Sequence, residues 1–154
     1  MALAATLMAL TLGGALAAGG GRTISVPMTG AQEPGGGDPD AMGTATFTIN
    51  VGQETLCYTL SWTGIGGTTP STTDDPIWGG HIHQAPLGVA GGIAIHLFGA
   101  PMEPRTAFGS TATVSDCMTV PREQLVELFA NLDDYYINIH NDEFPGGAIR
   151  GQLR

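Results

Sequence analysis

Thr44-Ala45-Thr46-Phe47-Thr48-Ile49 alternates without a break. Ala45, Phe47 and Ile49 fall on one side of an extended chain and the three threonines on the other. This period of two marks a half-buried strand of an antiparallel sheet. Downstream, Leu56, Tyr58, Leu60 and Trp62 share one face and Thr55, Cys57, Thr59 and Ser61 the other; upstream, Ile24, Val26 and Met28 alternate in the same way. Further strands are expected over 78–83, 92–98, 108–114, 134–140 and 147–153. Turn residues fill 35–40 and the long stretch 64–76, which is rich in Gly, Thr, Asp and Pro. Helical spacing occurs once: Pro121 suits a first turn, Glu123 suits the positive helix end, and Leu125, Leu128, Phe129 and Leu132 recur on one face. Seven or eight short strands with one short helix predict an all-β fold, an antiparallel β-sandwich or barrel.

The chain's 154 residues fit one domain. Its 24 glycines and 10 prolines fit many turns, and its charged content of 12 % is about half the usual share. The net charge is -9, and the five basic residues are all arginines. That balance excludes the basic patch needed for nucleic acid or an anionic membrane surface. Residues 1–18 are small and apolar, and Ala15-Leu16-Ala17 has the small-x-small form of a signal-peptidase site, so cleavage is expected after Ala17 or Ala18. The competing reading is a membrane anchor, since the uncharged run 1–21 just reaches spanning length. No insertion in a membrane is expected after cleavage. In an exported protein the two cysteines, Cys57 and Cys117, suggest one disulfide; two separate buried thiols are the alternative.

The polar signatures of the second half are Gly79-Gly80-His81-Ile82-His83 and Tyr136-Ile137-Asn138-Ile139-His140. Alternation puts His81 and His83 on one side of their strand with Ile82 opposite. It puts Ile93, Ile95 and Leu97 together, with His96, Ala94 and Phe98 on the reverse. In the same way Tyr136, Asn138 and His140 oppose Ile137 and Ile139, and Arg150 and Gln152 oppose Ile149 and Leu153. If the Ile/Leu faces form the core, all four histidines face away from it. A His-x-His strand with a third histidine from a neighbouring strand suits Cu(II) or Zn(II), with an open position for water. The candidate ligands are His81, His83 and His140, with His96 as a fourth; the identity of the metal is open. Against this stands the reading in which these histidines hydrogen-bond loop carbonyls and hold the loops at the sheet's edge. An organic ligand on the same face is a third reading. Met28, Met42, Met102 and Met118 could assist Cu(I), though scattered methionines are usually packing. Tyr136, Asn138, Arg150 and Glu33 belong to the same polar surface; Arg150 is expected to pair with Glu33, Asp142 or Glu143 or to bond carbonyls. No nucleophile–base constellation and no phosphate-binding loop stands out, so no enzyme activity is expected.

Several stretches, in order, resemble the CHRD domain, the module named after chordin. They are Thr29-Gly30-Ala31-Gln32-Glu33-Pro34, Gly43-Thr44-Ala45-Thr46-Phe47, Gly80-His81-Ile82-His83-Gln84-Ala85-Pro86, Tyr136-Ile137-Asn138-Ile139-His140 and Gly146-Gly147-Ala148-Ile149-Arg150-Gly151-Gln152-Leu153. The resemblance covers 23–154. It departs at Asn141, where the family usually has threonine, and at Ala148, which replaces a common glutamate; His96 matches no family motif. The resemblance implies an immunoglobulin-like β-sandwich or barrel in an exported protein, periplasmic or extracellular. It implies a non-catalytic binding or structural module with an extracellular or envelope protein partner. A looser similarity is to copper-zinc superoxide dismutases, which also carry a His-x-His strand on a Greek-key barrel. Those enzymes need further histidines and an aspartate for zinc, whereas this chain has four histidines in all. Recognition of a protein or glycan through the loop 64–76, without metal, is the remaining alternative.

Overall fold

The computed structural model describes residues 21–66, 77, 79–99 and 108–154. The expected leader (1–18), most of the expected recognition loop and Met102 lie outside these residues. Among the described residues eight strands follow in chain order: β1 (Arg22–Thr29), β2 (Met42–Asn50), β3 (Thr55–Thr63), β4 (Gly79–Gln84), β5 (Gly92–Phe98), β6 (Ala112–Thr119), β7 (Tyr135–His140) and β8 (Ile149–Gln152). The α-helix α1 (Arg122–Ala130) separates β6 from β7. The all-β expectation holds. The strand expected over 108–114 is displaced: Phe108 makes only an isolated bridge to Ile77, and β6 begins at Ala112 and runs through Cys117.

All pairings are antiparallel, in the order β5-β4-β7-β8-β1-β2-β3-β6. The two four-stranded halves meet through β8 and β1, whose ladder has a single pair, Thr29↔Arg150. The sheet curls there into a half-barrel. Strands at opposite ends of the order then touch across its interior: the Tyr58 hydroxyl donates to the Leu97 carbonyl at 2.8 Å, and Trp62 stacks on Phe98 with ring centroids 6.2 Å apart. The fold therefore lies between the two expected architectures, one sheet folded over a single core.

The alternation in β2 and β3 is carried through: Ala45, Phe47, Ile49, Leu56, Tyr58, Leu60 and Trp62 are buried. Ile82, Ile137, Ile139 and Ile149 face them from the other half. On the outer face hydroxyls pair across strands, as in Ser25 with Thr46 and Thr59 with Ser115, at 3.0 and 2.9 Å. Cys57 and Cys117 are register partners on β3 and β6 and are joined by a disulfide. Leu125 and Leu128 of α1 enter the core, and Gln124 donates to the Ala94 carbonyl, which ties the helix to β5.

β5 departs from expectation. Its ladder with β4 runs Gly80↔Phe98, His81↔His96, Ile82↔Ile95, His83↔Ile93, with register shifts between Gly80/His81 and Ile82/His83. These two shifts break the strict alternation. Phe98 and Ala94 pack on the core, while Ile93 is 46 % exposed and pairs with His83. Ile93 therefore does not share a face with Ile95 and Leu97.

Candidate metal centre

Strands β4 and β7 set the histidines by register. His81 is paired with Asn138, His83 with Tyr136 and Gly79 with His140. The side chains of β4 and β7 that face away from the core are themselves covered: His81, His83 and His140 are only 4, 7 and 5 % exposed, and Asn138, Arg150 and Gln152 are buried too. Two loops fold back over this face. The 85–91 loop is held by Arg150, whose Nη1 donates to Val89 O at 2.8 Å and Nη2 to Pro86 O at 3.1 Å, and by Gln152, which donates to Ala85 O at 3.0 Å. Arg150 thus bonds carbonyls, as one of its expected roles had it, and Nη2 also reaches Gln152 Oε1 at 2.9 Å. The loop joining β7 to β8 is held by Asn138, which donates to Gly146 O at 3.4 Å.

One ring nitrogen from each of His81, His83 and His140 comes together, all within 4.8 Å of one another. The opposite nitrogens explain why. His83 Nδ1 lies 3.0 Å from Gly91 O, and His140 Nδ1 lies 3.0 Å from Pro145 O. A carbonyl only accepts, so in each ring Nδ1 carries the hydrogen and Nε2 holds the lone pair. A carbonyl that takes the hydrogen of the far ring nitrogen is what commonly orients a metal-bound imidazole. His81 Nδ1 is buried with no hydrogen-bond partner, a state that costs about 1–3 kcal/mol, and the Asn138 side chain lies beside the His83 ring. The reading in which histidines hold loops and the reading in which they bind metal therefore describe opposite edges of the same rings.

Burial keeps the cluster neutral. His81 is lowered to about 3, by burial first and then by the neighbouring His140, His96 and His83. His140 is lowered to about 4 by burial, against the Pro145 carbonyl and with His83. Burial also lowers His83, against the Gly91 carbonyl. Neutral imidazole is the form that ligates a metal.

The remaining polar residues form a supporting layer. Tyr136 stacks on His83 with centroids 4.9 Å apart and planes 9° apart, and its hydroxyl accepts from Gly91 N at 3.1 Å. The Arg150 guanidinium lies over the Tyr136 ring, 3.4 Å from its centroid. Asn138 donates to Glu33 Oε1 at 3.2 Å; burial raises the Glu33 carboxyl, against that hydrogen bond and the Arg150 charge. Glu33 is not among the three clustered ligands. His96 is also outside that group: it is exposed, its ring 4.9 Å from that of His81.

Two glycines shape the site: Gly79, within the first polar signature, and Gly91, outside every quoted motif. A Cβ on Gly79 would sit 3.0 Å from His81 Cε1, so its bare backbone makes room for that ring. A Cβ on Gly91 would overlap the Gln84 carbonyl, so only glycine lets the loop approach closely enough to meet both His83 and Tyr136.

Together these elements make a curled all-β domain with a buried histidine cluster under two loops. The sequence profile of the CHRD domain matches residues 24–153, nearly the whole chain, and the chain belongs to that family. No curated protein and no solved structure gives a significant match.

Proposed function

We propose that this protein is an exported, non-catalytic CHRD-type binding module that holds one transition-metal ion, copper or zinc, through His81, His83 and His140. The observation that carries the reading is the convergence of three neutral, buried ring nitrogens within 4.8 Å. Two of the rings are pre-oriented by carbonyls of separate loops, which favours a built site over a chance cluster. Export is supported by the family, by the disulfide and by the apolar stretch at 1–18. No helix among the described residues is long and apolar enough to cross a membrane. The acidity of the chain disfavours nucleic acid, and a protein of the envelope or the extracellular space is the proposed partner class.

Calorimetric titration of the metal-free protein with Cu(II) and with Zn(II) tests the reading. One site per chain is expected, abolished in His83→Ala. Absence of binding at micromolar metal contradicts it. Metal-loaded protein is expected to turn over superoxide no faster than the free ion; turnover would return the dismutase-like alternative.

A further inference from the structure

The edge strand carries a feature that three histidines alone do not require. Its ladder with β4 gains one extra residue between Phe98 and His96 and another between Ile95 and Ile93. Continued without a bulge from Gly80↔Phe98, the ladder would set Leu97 opposite His81. The bulge sets His96 there instead, with ring planes at 87° and centroids 4.9 Å apart. Bulges recur beside functional sites because they re-aim a side chain. His81 is the hub of the group: its ring lies 5.7 Å from that of His83 and 5.0 Å from that of His140. The fourth imidazole is thus held in contact with the hub of a buried cluster while remaining exposed itself.

The ligand set gives this position a chemical meaning. Three neutral nitrogens suffice for a monovalent d¹⁰ ion such as Cu(I). Zn(II) and Cu(II) take at least four donors, so a divalent ion here has a fourth place that either water or a further side chain fills. No carboxylate belongs to the three-residue group. Resting on the reading that His81, His83 and His140 hold an ion, we propose that His96 is the exchangeable fourth ligand, which turns from the exposed edge onto a divalent ion and leaves a monovalent one three-coordinate. His96 is then the specificity-determining residue of the centre.

The experiment compares wild type and His96→Ala by competition titration with Cu(II) and Zn(II) in air and with Cu(I) under anaerobic conditions. Electron paramagnetic resonance of the Cu(II) form follows in parallel. In the variant, Cu(II) and Zn(II) are expected to weaken by on the order of tenfold or more, with loss of one nitrogen from the Cu(II) spectrum, while Cu(I) affinity stays within about twofold. Because His96 is exposed, the metal-free variant should melt with the wild type, which separates a ligand effect from misfolding. Unchanged divalent affinity overturns the role of His96 and leaves the three-histidine centre standing, as does an equal loss for Cu(I). Failure of the wild type to bind any of the three ions overturns the centre and the inference together.

Discussion

At the residue scale the proposed centre depends on which edge of each ring is engaged. His83 and His140 direct Nδ1–H at carbonyls and so present Nε2 to the cluster. Arg150 acts at one remove. It holds the 85–91 loop through two carbonyls and so holds the Gly91 carbonyl against His83. Arg150→Met is expected to destabilise the fold by about 3 kcal/mol, the scale of hydrogen bonds to a buried charge. It should also weaken metal binding about 10–100-fold, as measured by denaturant melts and titration. Acid should act on the metal-free protein directly. Folded His81 and His140 titrate near 3 and 4, against about 6.5 in an unfolded chain. The unfolded chain therefore binds more protons in this window. The stabilisation is complete above about pH 6.5 and is lost as pH falls toward about 3. Urea midpoints across that range should fall more steeply for wild type than for His81→Gln; equal slopes would contradict the assignment.

At the element scale the strands fall into two kinds. β1, β2 and β3 are buried on one face, so their period of two was plain in the sequence, and their core residues were legible from Ile24 to Trp62. β4, β7 and β8 are buried on both faces, which leaves the pattern of apolar residues intact but hides the cover. What covers their polar side chains arrives from 85–91 and 141–148, a non-local packing that alternation does not encode. β5 was misread for a different reason: two inserted residues reverse the facing of Ile93 and Phe98, and bulges leave no mark in a run of apolar residues. Edge strand β6 pairs with β3 alone and is mostly exposed, so the Cys57–Cys117 bond is its main covalent anchor. Replacing both cysteines by alanine should cost ~4 kcal/mol by chain entropy for a separation of 60 residues. Amide exchange should rise first in β6. Metal binding should persist, because the histidines lie on the other half of the sheet.

At the scale of the whole molecule, one half of the half-barrel presents hydroxyls and the other houses the histidine cluster, and the two share a core. Phe47, buried in the first half, should show this division. Phe47→Ala is expected to destabilise by about 3–5 kcal/mol while the folded fraction still takes up one ion per chain. Loss of the ion without loss of fold would mean that the halves are coupled more tightly than their single-pair junction implies. In the proposed centre three imidazoles from β4 and β7 share one ion. Nitrogen NMR of the histidine rings, before and after one equivalent of Zn(II), tests this most directly. His81 Nδ1, His83 Nε2 and His140 Nε2 should shift together while Nδ1 of His83 and of His140 remain protonated. Shifts confined to His96, or metal-induced loss of the Nδ1 protons, would contradict it.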